Sequence, residues 1–336
     1  MTRPTRSSAI ISDDTFQSVG DTLMSFRTPL LLSHERPDPD ALGCLLAMRS
    51  VLAAVGRHPV AVLYEPCPRR YEFLPEVDQL QSWDRVRDQL ACDCVLVLDT
   101  CAVQQVRPAI DFIRGCGLPV FAVDHHVTRD LDVHHALIDE HTAAASLIVY
   151  RWAQVMGWPV SVPAATALLA GIIGDTGWFR FDNTDADTLR AAADLLDAGV
   201  DLDWLHQQLH QNEPPSTIRL RAAALSAVRF YRDDAIAVVP ITGQMYADTG
   251  AAPADSENLV NEPLAVGTVQ ASVVLVEMSG GLVKCSFRSK GAIDVAAIAR
   301  SFGGGGHVRA AGARIEGTLA TAEQRVVARL SAAISA

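Results

Sequence analysis

Through the first half of the chain, apolar residues come in short runs separated by amphipathic stretches. Leu30–Ser33, Pro59–Leu63, Cys94–Leu98 and Val120–Val123 are brief, rich in branched side chains and bounded by turn formers, which predicts buried strands. Between the first two, Ala41–Val55 carries Leu42, Leu45, Leu46, Leu52 and Val55 at helical spacing. Strand–helix alternation predicts a mostly parallel sheet flanked by helices, an α/β domain. From Pro163 to about Val228 the pattern is Ala-rich and helical, as expected for the end of that domain and a linker helix. Near Arg229 it changes again. Val228–Tyr231 and Ala235–Val239 flank Asp233-Asp234, and Gln270–Met278 and Leu282–Arg288 flank Ser279-Gly280-Gly281, so two hairpins are predicted. A helix over Asp294–Phe302, a glycine run, a strand near Ala310–Ile315 and a last helix from Thr321 complete a smaller α+β domain. The expected organisation is a first domain over 1–190, a helical linker over 191–228 and a second domain over 229–336, with a cleft between the domains.

Composition narrows the class. A chain of 336 residues, 49% hydrophobic and 20% charged, suits two globular domains rather than disorder. A net charge of -11 argues against a protein that coats long duplex nucleic acid. A small anionic substrate remains compatible if bound cations offset part of that acidity. The seven cysteines are odd in number and contain no C-x-x-C, which reads as reduced thiols in a cytoplasmic protein. No apolar run is long enough to span a bilayer, and the N-terminus lacks the apolar core of a secretion signal.

The placement of acids and imidazoles changes the picture most. His34 follows the first strand, Asp99 ends the third, and Asp124, His125 and His126 follow the fourth. In an open parallel sheet, ligands gather beyond the carboxyl ends of the strands. Asp38 and Asp40 open the next helix in His-Glu-Arg-Pro-Asp-Pro-Asp, where Pro37 and Pro39 stiffen the approach. Each residue alone has a plain alternative: Asp38 or Asp40 as a helix cap, Asp175 in Gly174-Asp175-Thr176-Gly177 as part of a helix C-terminal turn. Their recurrence at strand ends favours a shared site. An oxygen-rich set with imidazole and no thiolate suits manganese, magnesium or a similar ion rather than structural zinc. Six candidate ligands suit two ions sharing a bridging carboxylate, an arrangement that activates water for phosphoryl displacement. In the second domain, Gly303–Gly306 offers backbone N–H groups to a phosphate, although glycine runs are often simply flexible, and it is no P-loop. Arg288 offers a bidentate clamp or is a solvated strand-end charge.

Together these motifs resemble the DHH/DHHA1 phosphoesterase superfamily over nearly the whole chain. Asp124-His125-His126 matches the triplet that names it; His34-x-x-x-Asp38-x-Asp40, Asp99 and Asp175-Thr176-Gly177 match further motifs of its first half. Lys284–Lys290 and Gly303–Gly312 look like the DHHA1 half. Within the superfamily, the compact two-domain layout resembles the nanoRNase/pAp-phosphatase and stand-alone cyclic-di-AMP phosphodiesterase group. The resemblance implies two Mn2+ per chain, with Mg2+ or Co2+ as substitutes. His34, Asp38 and Asp99 would hold one ion, and Asp40, Asp99, His125 and Asp175 the other. Catalytic roles are implied for His126, at the scissile phosphate or leaving group, for the bridging Asp99, and for Asp124, which would orient the histidines. Arg288, Ser289, Gly305, Gly306 and His307 would grip a terminal phosphate or nucleotide, and Asn258 and Asn261 would line the cleft. Expected substrates are cyclic di-AMP, its linear form pApA and RNA of two to five residues, cleaved to nucleoside 5′-monophosphates, and pAp for 3′-phosphatase action. A homodimer is a further implication. The alternatives are a catalytically idle nucleotide sensor on the same scaffold, or a single-strand-specific exonuclease. Two departures stand out: Cys44 where serine is common after Gly43, and Asp139-Glu140 for the usual Asp-Pro. Neither is expected to touch a ligand.

Overall fold

The computed structural model describes residues 11–291 and 293–334; of His307 only the backbone is described. Two units partition the chain, one ending at Asn212 and the other beginning at Glu213.

In the first unit the elements are α1 (Asp13–Leu23), β1 (Pro29–Leu32), α2 (Pro39–Ala54), β2 (Val60–Leu63), β3 (Gln81–Ser82), α3 (Trp83–Val86), β4 (Cys94–Leu98), α4 (Ile110–Gly115), β5 (Val120–Asp124), β6 (His135–Ile138), α5 (Ala145–Met156), α6 (Val162–Thr176), α7 (Ala186–Asp197) and α8 (Leu202–His210). The strands form one sheet in the order β3-β2-β1-β4-β5-β6. Every pairing is parallel: Leu30 stands opposite Val60 and Val95, Leu96 opposite Phe121, and Val123 opposite Leu137. Side chains alternate between the two faces, as the strand period requires. Leu31, Leu96, Leu98, Phe121 and Val123 join the core under α1, α2, α5 and α6. Leu30, Leu32, Val95, Val97 and Ala122 join the opposite core with Trp83, Ile110 and Ile113.

The strand order reverses between β1 and β4. Connections leave those two strands in opposite directions, which opens a crevice beyond their carboxyl ends. Two helices bracket it. Asp38 caps α2, its Oδ1 accepting from the Asp40 and Ala41 amides, and Pro39 occupies the first turn. Ser161 caps α6, which ends in a left-handed Gly177. Both helices are apolar almost all round and buried. They pack closely because glycines face the contact: a Cβ on Gly171 would sit 2.2 Å from Ser146 Oγ and 2.7 Å from Asp40 Oδ1.

The second unit contains α9 (Pro215–Ser226), β7 (Arg229–Tyr231), β8 (Ile236–Ile241), α10 (Gly243–Thr249), β9 (Ala271–Met278), β10 (Leu282–Ser289), α11 (Val295–Arg300), β11 (Gly305–His307), β12 (Ala310–Glu316) and α12 (Leu319–Ile334). Its sheet runs β11-β12-β10-β9-β8-β7, antiparallel except for β8 with β9. One face packs on α11 and α12 through Ile298, Val326 and Leu330. The other packs on α9 and the turn carrying Leu259 and Val260.

The α/β first domain and the α+β second domain follow the sequence pattern, and both expected hairpins form. The linker differs. Residues 191–228 are shared between the units: Ala191, Ala192, Leu195 and Leu205 lie in the first core, whereas Leu220 and Ala224 lie in the second. The junction therefore falls at Asn212/Glu213. An Ala-rich helix announces its periodicity but not which core receives its apolar face. Among the described residues, no helix is long and apolar enough to cross a membrane, and all seven cysteines are unpaired with one another.

Candidate metal centre

The crevice brings six predicted side chains together. His34, two residues beyond β1, places Nε2 3.4 Å from Asp99 Oδ2 and 3.8 Å from Asp38 Oδ1. On the other side of Asp99, Oδ1 lies 3.6 Å from His125 Nε2. The same Nε2 is 3.8 Å from Asp40 Oδ2 and 3.1 Å from Asp175 Oδ2. Asp99 therefore presents Oδ2 to His34 and Oδ1 to His125 and His126, while His125 in turn faces Asp40 and Asp175. Three sets of donor atoms fall within 4.8 Å of one another: His34 with Asp38 and Asp99, Asp40 with His125 and Asp175, and Asp99 with His125 and His126.

Local backbone explains the aim of each group. Asp99 follows β4 with a φ of 59°, a left-handed conformation unusual outside glycine, which turns its carboxylate into the crevice. Holding it there costs on the order of 1–3 kcal/mol. Asp38 serves both as the cap of α2 and as a member of the cluster, so the two readings of that residue hold together. Asp175 lies in the last turn of α6, where the helix dipole disfavours a carboxylate unless positive charge is near. Asp40 is fully buried and accepts from the Ala145 amide at 2.6 Å and the Ser146 amide at 2.8 Å. Asp124, also fully buried, accepts at Oδ1 from the His125 and His126 amides and holds His126 Nδ1 at 2.8 Å.

The electrostatics call for a cation. Burial, and then the charge of Asp175, push the Asp40 carboxyl up to about 6. Burial, with Asp40, Asp38 and Asp175 nearby, raises Asp99 well above the ordinary carboxylate range. Burial lowers His125, but the surrounding carboxylates, Asp175 foremost, outweigh it and raise it to about 9. Asp99 Oδ1 and His125 Nε2 are buried without a hydrogen-bond partner among the described residues, although Asp175 Oδ2 comes within 3.1 Å of that nitrogen. His125 Nδ1 faces the Thr142 carbonyl at 3.2 Å, so Nδ1 keeps its proton and Nε2 is the nitrogen that would give up its own to a cation. Oxygen and imidazole donors, unpaired buried atoms and mutually repelling carboxylates fit a divalent cation.

One expectation is corrected here. Cys44 Sγ lies 4.0 Å from Asp40 Oδ1 and 3.6 Å from Ser146 Oγ, so it does touch a candidate ligand. It stands one turn after Asp40 on α2, a spacing that carried the signal. Sequence reasoning also missed Asn183, whose side-chain amide bridges the carbonyls of Ala143 and Asp175, each at 3.1 Å. No local spacing marks such a long-range contact.

In the second unit, Arg288 is half-buried, which lowers its pKa, and donates through Nη1 to the Phe287 carbonyl at 3.1 Å. The Ser289 hydroxyl is spent on the Ile293 carbonyl at 2.7 Å. Gly305 and Gly306 lie on edge strand β11 against β12, and a Cβ on Gly306 would meet the Ala310 carbonyl oxygen at 2.5 Å. Close backbone approach thus accounts for glycine there. Asn258 and Asn261 are exposed, and Asn258 adopts a left-handed conformation. The His307 side chain lies outside the described residues.

A parallel sheet carries at its switch point an acidic, imidazole-containing centre that could hold a cation. Residues 30–172 match the DHH family, N-terminal domain, and residues 234–336 match the DHHA1 domain. The chain belongs to the DHH/DHHA1 family and is a hydrolase of phosphate esters. Among its relatives is the bifunctional oligoribonuclease and PAP phosphatase NrnA of Thermus thermophilus, 35% identical over 304 residues that cover 89% of this chain and 88% of that protein. The cyclic-di-AMP phosphodiesterase PdeA of Listeria monocytogenes is 31% identical over 321 residues, covering 90% of this chain and 47% of that longer protein. The crystal structure of an exopolyphosphatase-related protein from Bacteroides fragilis shares the fold, with a TM-score of 0.91 at 23% identity, covering 97% of this chain and 98% of that one.

Proposed function

We propose that the chain is a manganese-dependent phosphodiesterase that binds two cations and cleaves short nucleotides to nucleoside 5′-monophosphates. The observation that carries this reading is the orientation of Asp99, whose two oxygens face separate donor sets. His34, Asp38 and Asp99 Oδ2 would hold one ion, and Asp40, His125, Asp175 and Asp99 Oδ1 the other. When bound, such a pair acidifies water and offsets charge on phosphate oxygens. The chain's own groups supply the rest. Asp124 fixes the His126 imidazole through Nδ1, so that Nε2 delivers a proton to the departing 3′ oxygen. Asp99 and Asp40, kept in a dry pocket, orient the centre without needing to reorganise.

Substrates in this reading are cyclic di-AMP, pApA, oligoribonucleotides of two to five residues and the 3′-phosphate of pAp. The names of the relatives, an oligoribonuclease and PAP phosphatase and a cyclic-di-AMP phosphodiesterase, support that range. Arg288, with Gly305, Gly306, His307, Asn258 and Asn261, would hold one end of the substrate; Ser289 would contribute by shaping the turn beside Arg288. A kinetic panel of the four substrates with Mn2+, Mg2+, Co2+ or chelator tests the proposal. Hydrolysis that requires Mn2+ and disappears in Asp99→Ala is expected. Wild-type rates in that variant, or indifference to chelators, would refute it.

A further inference from the structure

We propose that residues 139–146, the connection between β6 and α5 together with the first two residues of α5, form with Asn183 an outer frame of the metal centre, in which Asp139 and Asn183 are positioning residues. The inference rests on the reading of this centre as a cation site. It assigns a role to residues that contribute none of the candidate ligand atoms.

The frame grips three of the six candidate ligands from behind. Asp139, 3% exposed, accepts through Oδ1 from the His141 amide at 3.0 Å and through Oδ2 from the Thr142 hydroxyl at 2.8 Å. The Thr142 amide donates to the Asp139 carbonyl at 3.2 Å, which closes a tight turn. That turn presents the Thr142 carbonyl to His125 Nδ1 at 3.2 Å. A carbonyl only accepts, so the contact dictates which ring nitrogen is protonated and which faces the centre. A little further on, the Ala143 carbonyl accepts from Asn183, whose same side-chain nitrogen reaches the Asp175 carbonyl. The end of α6 is thereby tied to this segment. Finally, α5 starts at Ala144, which has no side-chain cap. Asp40 replaces that cap from another helix by accepting from the Ala145 and Ser146 amides. One helix start thus anchors a ligand carboxylate and leaves it oriented toward the centre.

A neighbouring contact differs in kind. Glu140 pairs with Arg129 at 2.9 Å, and Arg129 Nε reaches the His126 carbonyl at 3.4 Å. Both side chains of the pair are 41% exposed. An ion pair in that setting contributes little, so the frame does not depend on it.

Losing a hydrogen-bonded partner behind a metal ligand typically weakens metal affinity about 10–100-fold. The test is Mn2+ binding to the full-length chain, by titration calorimetry and by the electron paramagnetic resonance signal of free Mn2+, with a thermal melt in chelator. Asp139→Asn and Thr142→Val should bind Mn2+ at least about tenfold more weakly while still melting cooperatively. Excess Mn2+ should then restore kcat, Thr142→Ser should retain wild-type affinity, and Glu140→Gln should stay within about twofold of it. Folded Asp139→Asn or Thr142→Val with an unchanged Mn2+ dissociation constant overturns the inference. If Asp139→Asn does not fold, Thr142→Val, which keeps the shape and loses only the hydroxyl, decides alone. A wild-type chain that binds no Mn2+ removes the cation reading itself, and this inference with it.

Discussion

Loading the centre with Mn2+ should expel protons, and their number should fall as pH rises. Ligation needs an ionised Asp40 and a His125 with an unprotonated Nε2. With Asp40 titrating at about 6 and His125 at about 9, both carry a proton at pH 5 in the metal-free chain. At that pH the first is roughly nine-tenths protonated and the second fully so; at pH 7.5 only His125 still carries its extra proton. Release should therefore be about two protons at pH 5 and about one at pH 7.5. Asp99, also raised, adds in the same direction. The same shifts set the sign of a stability change. Asp40 rises from 3.8 unfolded to about 6 folded, so its contribution is complete below 3.8 and lost as pH climbs through 6. The loss is roughly 3 kcal/mol for that shift. His125 rises from 6.5 to about 9, so its contribution is complete below 6.5 and lost through 9. The gap in Tm between Mn2+-loaded and chelated protein should widen with pH. Calorimetric titrations in two buffers of different ionisation enthalpy count the protons directly. Release of less than about half a proton at pH 5, or a release that grows with pH, would refute the electrostatic account.

Further outcomes follow from the same geometry. Asp99→Asn should raise the Tm of the chelated protein increasingly as pH rises, because it removes a carboxyl whose ionisation is opposed by burial and by Asp40, Asp38 and Asp175 while keeping a residue that tolerates φ > 0; a lower Tm in a thermal melt at alkaline pH would contradict this. Gly171→Ala should cost about 1–3 kcal/mol in denaturant melts and weaken Mn2+ binding, since the added methyl meets Ser146 and Asp40; wild-type behaviour would show that α2 and α6 can separate freely. Arg288→Ala should raise KM by about 10–100-fold with kcat nearly kept, the effect of losing a charge-assisted contact; a kcat effect alone would place Arg288 elsewhere in the reaction.

What was readable in the sequence divides along physical lines. β1, β2, β4 and β5 were plain because strands buried on both faces must be continuously apolar. β3 is only Gln81–Ser82 at the sheet edge, and β6 begins with His135, stacked on Phe121 at 4.7 Å. Neither shows a strand pattern, and both are found only by pairing. α1 carried a readable signal, a Ser12 cap ahead of Phe16, Val19 and Leu23 on one face, but it stood apart from the strand–helix alternation. The ligand candidates were legible because each sits at the end of an apolar run. Asn183 was not, because it acts through the Ala143 carbonyl 40 residues away; the Asp139 carboxylate bonds only its neighbours and reaches His125 through Thr142, 17 residues from that imidazole; Cys44 stood readably one turn after Asp40, but its contact with Ser146 spans 102 residues.

The central place of β4 in the sheet has a consequence for assembly. Asp99 arrives at its post only when β4 inserts between β1, more than sixty residues earlier, and β5. Residues 34–40 bring three of the six candidate ligands locally, but Asp99, His125 and Asp175 join them only through long-range pairing, which is slow. The full set of candidate ligands therefore exists only once the parallel sheet is assembled.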